Sequence, residues 1–113
     1  MFSDKTILCG ASHYEQLFYF NPDFDALPKE VKQELNIICV LFTEDVGGII
    51  RFEFDEVGNL NMVVESKEDD ILFDEIGSVL KIKQIQQEKR ELLESLETYY
   101  RVFFLQGGAD DAN

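Results

Sequence analysis

Two kinds of apolar spacing run along this chain and divide it into strands and helices. Ile50, Phe52 and Phe54 alternate with Arg51, Glu53 and Asp55, the period of an antiparallel strand with one face buried. Glu56-Val57-Gly58-Asn59 is turn chemistry, and Leu60, Met62 and Val64 then alternate with Asn61, Val63 and Glu65. These two runs predict a hairpin. An earlier pair is read at Thr6-Ile7-Leu8-Cys9, closed by Gly10, and at Leu17-Phe18-Tyr19-Phe20, stopped by Asn21-Pro22. Gly10-Ala11-Ser12-His13 lies between them as the expected turn.

Helical spacing appears twice. Val31, Leu35, Ile38 and Phe42 are separated by steps of 4, 3 and 4, with Ile37 and Leu41 on an adjoining row. Pro28 suits a first helical turn, where a missing N–H costs nothing, and Gly47-Gly48 suits the end. The stretch 37–42 is apolar on every side, which predicts a sandwiched helix. A competing reading makes 36–42 a strand, but the 3–4 spacing extends back to Val31 and favours the helix.

The second helical pattern runs over 70–105 without a proline. Its first stripe is Leu72, Ile76, Val79 and Leu80. Its second, Ile82, Ile85, Leu92, Leu96, Tyr99 and Phe103, follows the a/d repeat of a helix seeking a partner, with Lys89 in one core slot. The two stripes do not line up. The step between Gly77 and Ile82 predicts a kink near Gly77, with the first half covering the sheet and the second packed on the first helix or on another subunit. Three heptads with a lysine in the seam are too few for a free-standing two-stranded coil.

The expected order is therefore β-β-α-β-β-α. It implies an α+β fold: a four-stranded antiparallel sheet from two hairpins, with two helices on one face and the C-terminal one long. The reading is a single domain over residues 1–106, followed by a disordered tail at 107–113. No internal repeat is visible.

Charge narrows the classes of partner. The 113-residue chain carries 23 acidic against 10 basic residues, a net charge of −13. Binding to phosphates requires a basic face, so nucleic acid is excluded as an expected partner, and anionic membrane surfaces with it. The acid is uneven. Residues 21–75 hold 15 acidic and 4 basic residues, a balance of −11, whereas residues 81–101 hold 4 acidic and 5 basic, a balance of +1. The C-terminal helix is the one non-acidic stretch and is suited to lie along an acidic body, its own or a neighbour's. No leader-like basic-then-apolar start and no membrane-spanning run is visible, and Cys9 and Cys39 sit within apolar segments, so a reduced, cytoplasmic setting is expected.

Candidate chemistry is sparse. His13, the only histidine, lies four residues after Cys9, but a strand-to-turn placement does not fix a nucleophile and base, and no third orienting group is evident. Cys39 reads as a small core residue, and a Cys9–Cys39 bond would require the strand and helix to meet. The acids Glu65, Glu68, Asp69, Asp70, Asp74 and Glu75 form a cluster that could attract a divalent cation, yet the spacing of a calcium loop is not met, and a solvated loop leading into a helix N-terminus explains them. Gly47-Gly48 has neither the spacing nor the lysine of a phosphate loop. No catalytic, cofactor or metal residue is assigned, and the chain is not expected to be an enzyme. The strongest remaining signal is the aromatic end of the last helix. Ile85, Leu92, Leu93, Leu96, Tyr99, Tyr100, Phe103 and Phe104 are the interface candidates, for a homodimer or for another protein.

The segments Leu27-Pro28-Lys29-Glu30-Val31, Ile38-Cys39-Val40-Leu41-Phe42-Thr43-Glu44-Asp45-Val46-Gly47-Gly48 and Asp74-Glu75-Ile76-Gly77-Ser78 resemble those of a family of small acidic cytoplasmic proteins from clostridial bacteria (Firmicutes). The likeness spans nearly the whole chain. That family is of unknown function, so the resemblance carries over no site residue and implies only a single-domain, bacterial, intracellular protein. Three roles stay open: a non-enzymatic protein–protein interaction module that self-associates through the C-terminal helix, a small acidic chaperone or adaptor for a basic or disordered partner, and a ligand-binding or enzymatic domain.

Overall fold

The computed structural model describes residues 5–105, so the tail expected at 107–113 lies outside the described residues. The elements are β1 (Thr6–Ser12), β2 (Leu17–Phe20), a 3-10 turn at Pro22–Phe24, α1 (Lys29–Val46), β3 (Ile49–Phe54), β4 (Leu60–Glu65), α2 (Glu75–Glu88), α3 (Arg90–Tyr100) and a π turn at Arg101–Leu105. The α+β class and the four-stranded antiparallel sheet are present, with strand order β2-β1-β3-β4. Both hairpins form, and β1 joins them by pairing antiparallel with β3.

The alternating pattern decides which face of the sheet is buried. Register places Cys9 opposite Phe52 and Phe20, and Ala11 opposite Ile50 and Phe18. On the other side of β3, Phe52 faces Met62 and Ile50 faces Val64. These positions point to one side, where a single buried cluster also takes Leu35, Ile38, Cys39, Phe42 and Val46 from α1, Ile85 from α2, and Leu96 and Tyr100 from α3. The opposite face of the sheet carries the half-exposed Leu17 and Tyr19 and the ion pairs of Arg51 with Glu53 and Glu65.

Several expectations are corrected. β1 does not stop at Gly10 but runs through it to Ser12. A Cβ at position 10 would lie 2.6 Å from the Ile50 carbonyl oxygen, so the glycine permits the close approach of β3. A register shift between Ile7 and Cys9 lets the consecutive residues Leu8 and Cys9 both be fully buried. Helix α1 ends as expected at Gly47, whose φ of +84° an L side chain resists, and the Gly47 N–H donates to the Thr43 carbonyl. It is not sandwiched: Ile37 and Leu41 stay half-exposed on its outer side.

The long C-terminal helix is two helices, making three α-helices among the described residues, and its break is not at Gly77. Gly77 lies in the first turn of α2, where its N–H donates to the capping carboxylate of Asp74 at 2.8 Å. The chain bends at Lys89 (φ −111°, ψ 25°). Lys89 is not a seam residue; its ammonium donates to Glu34 of α1 at 2.6 Å, and Lys81 pairs with Asp45 at 2.8 Å. These two ion pairs bridge α2 and α1, which also share the buried cluster through Ile85 and Ile38. The bend then carries α3 back across β4, where the Glu97 carboxylate accepts the Leu60 N–H at 2.7 Å.

An aromatic stack fastens the end of α3. Phe24, fully buried in its 3-10 turn, lies against Phe104 (centroids 4.7 Å apart), Phe54 (5.7 Å), Tyr100 (6.2 Å) and Tyr99 (6.5 Å). Tyr100 and Phe54 are parallel at 4.2 Å, and the Tyr100 hydroxyl is 2.9 Å from the Thr6 hydroxyl.

Candidate interaction surface

The a/d stripe of the last third is answered largely within the chain. Ile85, Leu96 and Tyr100 are buried in the core cluster, and Ile82, Leu92, Leu93 and Tyr99 pack partly buried against it. Of the interface candidates, only Phe103 and Phe104 present substantial surface, at 67% and 37% exposure. Both belong to the π turn and abut Tyr99, at 4.8 Å for Phe103 and 6.3 Å for Phe104.

The unpartnered apolar surface lies earlier. Residues 70–74, expected to be helical, form a connector, and Ile71 and Leu72 within it are 93% and 88% exposed. Ile76, Val79 and Leu80, on the outward side of α2, are 76%, 52% and 61% exposed. The expectation that this stripe covers the sheet is overturned. Helix α2 turns Ser78, Ile82 and Ile85 inward, roughly opposite to Ile76, Val79 and Leu80. Five aliphatic side chains exposed within residues 71–80 exceed the scattered exposed residues normal on a monomer, which makes this segment a candidate contact site.

A second apolar concavity runs between α1 and α2. Its volume is about 430 Å³, its floor is Ile37, Ile38, Leu41 and Ile85, and its rim is Glu30, Glu34, Glu88, Lys81 and Lys89. The rim cations are engaged by Asp45 and Glu34, and that pairing holds the Lys89 ammonium above its ordinary pKa.

The groups singled out for chemistry are dispersed. His13 sits exposed in the β1–β2 turn. Cys9 packs instead against Cys39, with the sulfurs 3.9 Å apart and both residues fully buried. The shared hydrogen bond with Cys39, with burial behind it, raises the Cys9 pKa far above the ordinary thiol range, so the thiol stays protonated. The strand and helix do meet, which sequence spacing alone left open.

The acids of 65–75 have separate tasks. Glu65 accepts from Arg51, which lowers its pKa. Asp70 accepts the Tyr14 hydroxyl at 2.6 Å, which lowers its pKa as well. Asp74 caps α2. Among the described residues, no three His, Cys, Asp or Glu side chains gather as a metal would require, and no helix is long and apolar enough to cross a membrane. No curated protein and no solved structure matches this chain. The model of a family of unknown function, DUF6145, matches over residues 5–108, and the chain belongs to that family.

Proposed function

We propose that this protein is a non-enzymatic protein–protein interaction module that associates with itself through its C-terminal third, in the bacterial cytoplasm that the family resemblance implies. The observation that carries the reading is the exposed aliphatic set of the connector and α2. Burying a Leu or Ile side chain is worth about 1.5–3 kcal/mol, and leaving several exposed together also invites aggregation. Phe103 and Phe104 add a second exposed apolar site at the end of α3. Light scattering at tens of micromolar tests the reading. A mass above that of one chain is expected, and a strict monomer would sink self-association.

An adaptor role for a basic partner is the second reading. The net charge of −13 favours it, and so do Glu30 and Glu88, the rim carboxylates of the groove between α1 and α2 that take part in no ion pair among the described residues. A basic amphipathic helix has the chemistry for that groove. Recovery of the protein from its native cells with no basic partner attached would count against this reading.

A further inference from the structure

One edge of the sheet is left open beside a helix. Strand β4 ends the strand order and pairs only with β3. The Asp55 N–H donates to the Asn59 carbonyl at 2.9 Å, and the register that follows turns the main-chain groups of Asn61, Val63 and Glu65 towards β3. Those of Leu60, Met62 and Val64 therefore point away from the sheet. The Glu97 carboxylate takes the Leu60 N–H at 2.7 Å. The N–H and C=O groups of Met62 and Val64 have no hydrogen-bond partner on that side among the described residues. Folded proteins ordinarily blunt such an edge with a proline, a lysine or a bulge. Strand β4 has none of these. The opposite edge, β2, is only four residues long and has Lys29 and Lys32 of α1 beside it.

Alongside the open edge lies a groove of about 560 Å³, walled on its far side by α2. Met62 and Val64 from the strand and Phe73, Val79 and Ile82 across from them give it an apolar lining. The ion pairs of Lys81 with Asp45 and Lys89 with Glu34 set α2 antiparallel to α1, and hence to β4. Phe73 accordingly lies at the Glu65 end: a Cβ at position 48 would be 2.7 Å from both the Glu65 carbonyl oxygen and the Phe73 ring. Glu75 marks that end of the groove, and α2 carries Lys83 towards Met62.

We propose that this groove binds an extended segment of another protein, added to the sheet as a strand antiparallel to β4. Two alternate residues of the segment exchange both main-chain hydrogen bonds with Val64 and Met62. Their side chains fall on the helix side, against Phe73, Val79 and Ile82, and the fit there is aliphatic. The residue between them faces the open side of the sheet. Charge fixes the ends. Glu75 meets the N-terminal end of the segment and Lys83 the C-terminal end, and both are exposed and in no ion pair among the described residues. The segment that fits reads basic, aliphatic, any, aliphatic, acidic. Pairing stops at Leu60, whose N–H Glu97 already holds. A second copy is a poor occupant, because either of its edge strands, paired antiparallel here, would bring its own helices to the same side of the joined sheet and into α2. The site deepens the interaction-module reading above and does not depend on self-association.

The test is titration of the isotope-labelled whole chain with the end-blocked peptide Lys-Val-Thr-Val-Asp, followed by NMR. Binding is expected to saturate with a dissociation constant of about 0.1–1 mM, the level of a few net hydrogen bonds and two partly buried side chains. The Met62 and Val64 amide signals should move, and their hydrogen exchange should slow. The same peptide N-methylated at both valines keeps every side chain but cannot donate, and is expected to bind about tenfold more weakly or worse. Val79→Arg fills the groove from an exposed position and should weaken binding. Lys83→Glu should disfavour the peptide ending in Asp and favour one ending in Lys. Leu41→Glu, in the groove between α1 and α2, should change nothing.

Unmoved Met62 and Val64 signals at about 5 mM peptide, several-fold above the weakest constant expected, overturn the proposal. Undiminished binding of the methylated peptide does so as well. Signals of Met62 and Val64 that shift when the protein alone is diluted put a second copy on the edge, and that also overturns it. Light scattering reads self-association separately. A monomer that binds the peptide fells self-association and leaves this site standing, and a dimer that ignores the peptide does the reverse.

Discussion

Replacing Phe24 by alanine should loosen α3 from the domain more than any other single aromatic truncation near the C-terminus. Phe24 comes from a three-residue turn whose start is capped by Asn21, the side chain of which accepts the Asp23 N–H at 2.9 Å. The ring is fully buried and touches aromatic rings from β3, α3 and the π turn, with centroid distances from 4.7 to 6.5 Å. A large buried aromatic truncated to alanine costs about 3–5 kcal/mol in transfer and cavity terms together. Stacked pairs add about 0.5–1.5 kcal/mol beyond area, so the upper half of that range is expected here. A small domain is stable by only about 5–15 kcal/mol, and the variant therefore stands close to unfolding. Phe24→Leu keeps most of the volume and should cost about 1–2 kcal/mol.

The assay is equilibrium unfolding in urea followed by far-UV circular dichroism, with Phe104→Ala as the comparison. Phe104 stacks on the same ring but is 37% exposed, so its loss should cost about 1–2 kcal/mol. A shift below about 1 kcal/mol for Phe24→Ala, or one smaller than that of Phe104→Ala, would refute the view that this ring fastens α3. A partly detached α3 would also expose Leu96 and Tyr100, so the variant should bind a hydrophobic dye before it unfolds.

Three further outcomes follow from other parts of the fold. Arg51→Ala removes the donor that reaches the buried Glu53 at 2.7 Å, leaves that carboxylate without its partner, and should cost about 2–3 kcal/mol in urea unfolding. Glu65→Gln should lower Tm at pH 7 but not in acid. The Arg51 guanidinium depresses the Glu65 pKa in the folded state, so its contribution is present above the unfolded value and is lost as pH falls, and the gap from wild type should close below about pH 4. Gly48→Ala forces a φ of +73° on a residue with a side chain and puts its Cβ 2.7 Å from the Glu65 carbonyl oxygen; it should cost about 2 kcal/mol or more, read as a fall in the urea midpoint.

How far the fold was legible varies by element. The β3–β4 hairpin could be read because Ile50, Phe52, Phe54, Leu60, Met62 and Val64 alternate without interruption. Helix α1 could be read because Pro28 and Gly47 mark its ends. The passage of β1 through Gly10 could not, since a glycine ordinarily punctuates a strand and the bulge at Leu8 breaks the period of two. The break between α2 and α3 carries no proline or glycine. At the bend Lys89 meets Glu34, a residue 55 positions away, and nothing local encodes that meeting. The surface is hard to read for a related reason. Aliphatic residues at helical spacing look the same whether the fold buries them or leaves them outside: the stripe at Leu72, Ile76, Val79 and Leu80, expected against the sheet, is exposed, and the stripe from Ile82 to Phe103, expected on the first helix or on another subunit, is largely packed within the chain.

The contact between Cys9 and Cys39 makes the molecule a gauge of its own opening. One sulfur belongs to the central strand β1 and the other to α1, and both are sealed from water at 3.9 Å separation. A thiol reagent reaches either one only in molecules where the helix has lifted from the sheet, and lifting exposes both at once. An alkyl group on either sulfur has no room in the closed form, so the first label blocks reclosing and the second follows quickly; mass spectra during slow alkylation should therefore show unlabelled and doubly labelled chains, with singly labelled ones scarce. With reclosing fast relative to reaction, the labelling rate divided by that of a free thiol gives the equilibrium constant for parting α1 from β1. Any ligand or second copy that stabilises the closed form can be weighed on the same scale, with no label introduced.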